Sequence, residues 1–470
     1  LTAISPIDGR YRGKTEQLAN YFSEYADSKV IKLSDHFTYG RLYKFVLPSV
    51  IMIICTSVYG VIDGLFISNF IGYTPFSAIN IIWPFIMIIG GTGFMIGTGG
   101  SALVAKTLGE GDEDKANRYF TMLVMFTVIL GVILTAVGLV FTRPIARLLG
   151  ADNDMIDHAV VYGRTVIAFI STFMLQNVFQ SFLATAGKPR IGLIVTVIAG
   201  VTNAFFDFLF IVVCKFGLVG AGVATGMGQI VGGVIPLIYF WRKNDSLLQL
   251  KKTKIEVSPL LKACANGSSE LLTNVASSIV GILYNLQLMK YIGKNGVSAY
   301  GVLMYVQLIF LAIEIGFSIG SAPVVSYHYG AGNKDELKSL YKKSMISMSV
   351  SGVVLSALAQ ALAVPLSMLF VGQDKTLFDL TVYAFRRFSF SFIFTGLTIY
   401  ASGFFTALNN GLVSAILSFA RSLVFQVGFV LLMPVLCGVD GIWWASFATE
   451  VCALIVSLAF FIAEKKRYGY

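Results

Sequence analysis

Charge is what this chain is short of. Lys, Arg, Asp and Glu make up 13% of its 470 residues, about half the share usual in soluble domains. Hydrophobic residues account for 56%, and the mean hydropathy is +0.77. That balance excludes an ordinary water-soluble globule and places the chain in a bilayer. Cysteine is sparse as well. Cys55, Cys214, Cys264, Cys437 and Cys452 stand singly in apolar stretches, with no CxxC and no nearby His pair, so they read as inert thiols and exclude a metal centre or a disulfide framework. The glycine pair Gly109 and Gly111 lacks a following GK[ST], which removes a Walker-type nucleotide site. The charged run Glu110, Asp112, Glu113, Asp114 and Lys115 beside it reads as a solvated loop. The formal net charge of +10 sits in short connections between apolar runs, a pattern of membrane topology and not of a nucleic-acid surface.

What the chain has is a copy of itself. At one ungapped offset of about 221 residues, Ile71 and Gly72 fall on Ile292 and Gly293, Gly99 on Gly320, and Gly109 and Gly111 on Gly330 and Gly332. Pro144 falls on Pro365, Thr185 and Ala186 on Thr406 and Ala407, and Gly220 on Gly441. Matches that return Gly and Pro at segment edges indicate two copies of one helical unit, as in transporters whose halves rock about a site near the midplane.

A span needs about 20 mainly apolar residues. Twelve such runs occur, at roughly 45–70, 78–105, 119–141, 160–184, 191–213, 217–241, 262–289, 297–326, 342–371, 378–406, 411–436 and 438–463. The expected fold is therefore an all-α membrane protein with twelve transmembrane helices in two parallel six-helix repeats. Its parts would be a leader over 1–34, an N-terminal six-helix lobe over 35–241, a linker over 242–258, a C-terminal lobe over 259–463 and a basic tail over 464–470. Lys29, Lys32, Arg41 and Lys44 precede the first run, Arg242, Lys243, Lys251, Lys252 and Lys254 fill the linker, and Lys465, Lys466 and Arg467 end the chain. Six spans per half put all three groups on one face, which the positive-inside rule makes cytoplasmic, together with both termini.

Residues 1–26 differ from the rest. They are polar, too hydrophilic for a signal peptide, and their SPIDGRY run, Ser5 to Tyr11, resembles the opening of adenylosuccinate lyase. The resemblance stops near Ala26 and no catalytic region of such a lyase follows, so the segment reads as a foreign leader and the chain is not expected to be an enzyme.

Chemistry inside a span is marked by residues that are expensive there, at about 2.5–3.5 kcal/mol for a charge at the centre. Five acids qualify: Asp63, Asp207, Glu270, Glu314 and Glu450. Asn203 precedes Asp207 by four residues and so shares its helical face. A carboxylate beside an amide, away from water, suits a small cation or a proton, which compete for one charge; the alternative is a hydrogen bond that glues two spans. Phe173, Gln176 and Gln180 share a face of the fourth span and are candidates for lining a cavity. Glu314 and Glu450 read equally well as packing acids, and Arg386, Arg387 and Arg421 as side chains that snorkel or pair with an acid.

Around these residues, over roughly 35–468, the sequence resembles the multidrug and toxic compound extrusion family. Pro48 followed by Asp63 matches the proline that bends the family's first span ahead of an intramembrane aspartate. Asn203 and Asp207 match its Asn-x-x-x-Asp, and Thr225 in GAGVATGMGQ matches the threonine of its sixth span. The resemblance implies a cation site made of Asp63, Asn203, Asp207 and Thr225, a helix bend at Pro48, and a second site at Glu270. At the repeat offset these site residues become Tyr284, Val424, Gly428 and Ser446, so the chemistry is confined to one half. The aspartate that other members carry in the tenth span is missing from FRRFSFSFIF.

The expected function is cation-coupled antiport, by proton or sodium, exporting amphipathic and often cationic compounds by alternating access; the alternative is a flippase for a lipid-linked precursor. Expected partners are small organic molecules and the bilayer, with no nucleic acid, no nucleotide, no cofactor and no metal. The expected setting is the plasma membrane, crossed many times by a single monomeric chain.

Overall fold

A bilayer core gives backbone N–H and C=O groups no partner but one another, so each long apolar run must close its hydrogen bonds as a helix. The computed structural model describes residues 31–470; the lyase-like run lies outside them. The first half comprises α1 (Tyr39–Phe70), α2 (Tyr73–Gly109), α3 (Glu113–Leu148), α4 (Ile156–Ile167), α5 (Ile170–Thr185), α6 (Pro189–Asp207) and α7 (Gly217–Trp241). The second comprises α8 (Val257–Tyr291), α9 (Lys294–Gly330), α10 (Lys334–Val371), α11 (Lys375–Phe388), α12 (Phe392–Ala407), α13 (Gly411–Phe419), α14 (Gln426–Cys437) and α15 (Val439–Tyr468). A π-helical turn, Phe208–Val213, continues α6, and another, Ala420–Phe425, joins α13 to α14. Among the described residues, eleven rods are long and apolar enough to cross a membrane, and the bent α4–α5 pair, counted as one span, gives a twelfth. Large apolar side chains such as Val132, Val140 and Phe141 of α3 and Ile462 of α15 stay exposed on the outside, as a lipid-facing surface requires.

The helices overrun the apolar runs because polar first turns continue them past the hydrocarbon. Asp112 accepts the Lys115 N–H at 2.9 Å and Asn333 accepts the Glu336 N–H at 3.1 Å, so the two N-caps repeat at the 221-residue offset. Gly111 and Gly332 before them have φ of +85° and +67°, where a side chain would be strained. The fourth run is not the single rod its hydropathy indicates. It bends by 55° between α4 and α5, where the Phe169 ring lies over Gly226 of α7 so closely that a Cβ there would come within 2.3 Å of it. The tenth span breaks at the matching place, through the tight 3-10 turn Ser389–Ser391.

The two halves meet on the face carrying the linker and the tail. Gly99 of α2 lies against Ala263 and Gly267 of α8, and Gly316 and Gly320 of α9 lie against Ser49 and Val50 of α1. Nearest the loops, a Cβ on Gly109 would fall 2.0 Å from the Tyr327 carbonyl, and one on Gly330 would fall 2.0 Å from that of Lys106. Each partner is the other's repeat equivalent, so the contact is reciprocal about a two-fold relation. The segment before α1 crosses the same seam: Leu33 and Phe37 are buried among residues of α9, α10 and α12. Phe37 N–H donates to Glu336 at 2.9 Å and His36 Nδ1 lies 2.6 Å from the same carboxylate.

Toward the other face the cores part company. One cluster there draws on residues between Ile67 and Ala221, the other on residues between Tyr284 and Ala445. Gly60, Gly281 and Gly301, in the far halves of α1, α8 and α9, face open space. The molecule is joined at the basic face and divided at the opposite one.

Candidate functional site

The far half of the first six spans holds a group of polar side chains that the surrounding structure leaves unsatisfied. Asp207 ends α6 with 0% exposure, and neither of its carboxylate oxygens has a hydrogen-bond partner among the described residues. Asn203, one turn earlier and 2% exposed, has both amide atoms unpartnered, and Asp63 of α1 has one oxygen in the same condition. The Asp63 carboxyl faces that of Asp207, which also faces the Asn203 amide. Thr225 of α7 completes the set; its hydroxyl donates to the Ala221 carbonyl at 3.0 Å and keeps its lone pairs free for a ligand. All four residues singled out in the sequence are therefore buried on α1, α6 and α7, with the carboxylates side by side.

Local sequence explains the placement. Gly228 lets α7 approach α6 until a Cβ would be 3.0 Å from the Ala199 carbonyl and 3.1 Å from the Asn203 Cβ, and Gly200 makes room for the Tyr59 ring. The π turn begins immediately after Asp207, a local geometry frequent at functional sites because it re-aims the residues beside it. Pro48 is buried in α1, which continues through it from Tyr39 to Phe70.

Further buried polar groups belong to the same half, and sequence reading found only part of them. Gln176 and Gln180 of α5 are buried with unpartnered oxygens, as the shared face predicts, and Gln176 Nε2 reaches the Tyr59 hydroxyl at 3.5 Å. Tyr59, Tyr162 and Gln229 were not anticipated. The Tyr162 hydroxyl has no partner within hydrogen-bond distance, points toward Thr225, and has both aspartates within Coulombic reach. Nothing in the sequence separates these tyrosines from the other 19, since an interfacial belt uses the same residue.

The repeat supplies an internal control. Tyr284 and Ser446 occupy the positions of Asp63 and Thr225, and there the polar atoms are satisfied. The Tyr284 and Ser446 hydroxyls are 2.8 Å apart, and Gln426 Nε2 donates to them at 3.3 and 3.0 Å. At these positions the second half closes its polar cluster on itself, whereas the first leaves carboxylate oxygens without a partner among the described residues. An unpartnered buried carboxylate is costly, and a monovalent cation or a proton would relieve it. Among the described residues no three His, Cys, Asp or Glu side chains gather as a metal site would need.

Glu270, the expected second site, is half-buried on α8 with its carboxyl in Coulombic reach of Arg421; it lies in the other half from Asp63 and Asp207. Glu450 binds Arg421, as a packing acid would, with Nη2 2.8 Å and Nε 3.0 Å from Oε1.

The family sequence model MatE matches residues 48–209 and again residues 271–432, together more than two thirds of the chain. The chain belongs to the MatE family. The doubled match is the internal repeat seen from outside, and it puts the chain among membrane transporters and not among enzymes. A curated relative, the multidrug export protein MepA of Staphylococcus haemolyticus (strain JCSC1435), is 27% identical over 462 residues, covering 97% of this chain and 97% of its own. Two solved structures share the MatE fold at 21% identity and a TM-score of 0.87. One is an outward-facing conformation of a multidrug resistance MATE family transporter of the MOP superfamily, with 94% of this chain and 99% of that one covered. The other is a MATE in complex with MaL6, with 94% and 98% covered.

Proposed function

We propose that this MatE protein is a multidrug exporter that couples the outward movement of amphipathic, often cationic compounds to the entry of protons or sodium ions. The coupling ion binds at Asp63, Asn203, Asp207 and Thr225. The observation that carries this reading is the contrast within the repeat: unsatisfied carboxylates in the first half, a closed neutral network at the same positions in the second. An ion entering the first half neutralises the facing carboxylates, removes their mutual repulsion and lets α1, α6 and α7 pack differently. Substrate, bound where the halves part, then has weaker affinity and leaves, as differential binding to two states requires. The export of drugs by the full-length MepA relative supports the substrate class.

The seam at the basic face and the parting at the other are what an outward-open member of an alternating pair would have, with the 35–241 and 259–463 lobes as the rocking bodies. The positive-inside rule places the basic face and both termini in the cytoplasm, in a plasma membrane, with one chain sufficient for transport. A lipid-linked anionic headgroup would want buried cations where this protein buries carboxylates, so the flippase reading is the weaker.

Asp207→Asn tests the proposal. The variant should insert and purify as the parent does, and gradient-driven export of a cationic dye from proteoliposomes should fall at least tenfold. Export within twofold of the parent would overturn the ion assignment.

A further inference from the structure

The second half contains a buried charge cluster of its own, in a place unrelated by the repeat to the Asp63–Asp207 pair. Glu314 stands near the middle of α9 with 0% exposure, and both its carboxylate oxygens are without a hydrogen-bond donor among the described residues. Gly396 of α12 lies over it, where a Cβ would be 2.9 Å from Oε1. Any side chain at position 396 would close the space above the carboxylate.

Two charged groups bear on Glu314, namely Glu450 of α15 and Arg421 of the second π turn. The helices of the first half packed on α9 bring Ser49 and Val50 of α1 against Gly316, and no further ionisable group is in range among the described residues. Glu270 of α8 reaches Arg421 but not Glu314. The guanidinium is already committed: it grips Glu450 through two nitrogens, and the Thr398 hydroxyl donates to that same carboxylate at 2.5 Å. One arginine thus serves one acid, and the acid beside it is left alone in the membrane interior. A carboxylate there needs a positive partner, and the one within reach belongs to its neighbour.

We propose that Glu314 is a second exchangeable-ion site, taking a proton or a sodium ion, with the Arg421–Glu450 pair as its resident counter-charge. Loss of the ion leaves two carboxylates competing for one guanidinium, so Arg421 is drawn toward Glu314. That side chain rises from Ala420–Phe425, a turn whose hydrogen-bond register is already displaced from α-helical, and its re-pairing shifts α13 against α14. The proposal does not depend on the Asp63–Asp207 assignment.

Infrared difference spectroscopy of the full chain in nanodiscs tests it, comparing parent, Glu314→Gln and Asp207→Asn. The samples are carried from acid to alkaline pH in potassium chloride, then given sodium chloride at fixed pH. A protonated-carboxyl stretch that disappears on titration in the parent and in Asp207→Asn, and is missing from Glu314→Gln, is the expected result. Loss with pH alone identifies a proton site, and loss on adding sodium at fixed pH a site shared with sodium. Spectra of Glu314→Gln that match the parent would overturn the proposal, as would a Glu314 band that responds to neither pH nor sodium.

Discussion

At the scale of single residues, the molecule separates polar groups that are satisfied from those that are not. Tyr284, Ser446 and Gln426 satisfy one another, so they stabilise α8 against α14 and α15 and have nothing left to offer an ion. Tyr284→Phe should therefore cost about 1 kcal/mol of stability, the worth of an ordinary hydrogen bond. Gradient-driven export should stay within twofold of the parent, read in the same proteoliposomes as the dye assay. The equivalent position in the first half differs: the Asp63 carboxylate has an oxygen with no partner among the described residues, and the proposed ion site is placed there. Sequence reading singled out Asp63, Asn203 and Asp207 because acids and amides are rare enough in apolar spans to stand out, and Thr225 only through the family resemblance. It did not reach Tyr162 or Gln229, each of which buries a polar atom with no partner among the described residues, a property of rotation about the helix and not of residue type.

At the scale of elements, hydropathy located all twelve spans because burial in lipid and helicity are one requirement. It did not locate the bend at Phe169 or the π turns at Phe208–Val213 and Ala420–Phe425. Those depend on tertiary contacts, such as a phenyl ring seated on Gly226, that no local pattern encodes. Glycine carries the seam between halves. A Cβ at 330 would fall 2.0 Å from the Lys106 carbonyl, closer than atoms can approach, and backbone on both sides leaves no side chain to move aside. Gly330→Val should therefore open the basic face. Spin labels on α2 and α9 at that end should report a longer mean distance than in the parent, with the opposite face drawn together. Unchanged distances in a folded variant would show that the seam does not hold this state.

At the scale of the whole molecule, two similar halves are joined at one face and have different chemistry inside. In the proposed mechanism, symmetry supplies two bodies that rock against each other, and the Asp63–Asp207 pair gives the first an ion site that the second lacks at the equivalent positions. On that proposal, their combination lets an ion gradient drive a change of shape. The seam between the halves is reciprocal in Gly109 with Tyr327 and Gly330 with Lys106. The measurement that bears most directly on this account is dye export from proteoliposomes under a proton gradient alone and then a sodium gradient alone. It is made for the parent and for the Asp63→Asn, Asp207→Asn double variant. The account predicts that at least one gradient drives export by the parent at ten times the rate without a gradient, and that neither drives it in the variant. Export by the variant at the parent's rate, or a parent indifferent to both gradients, would contradict it.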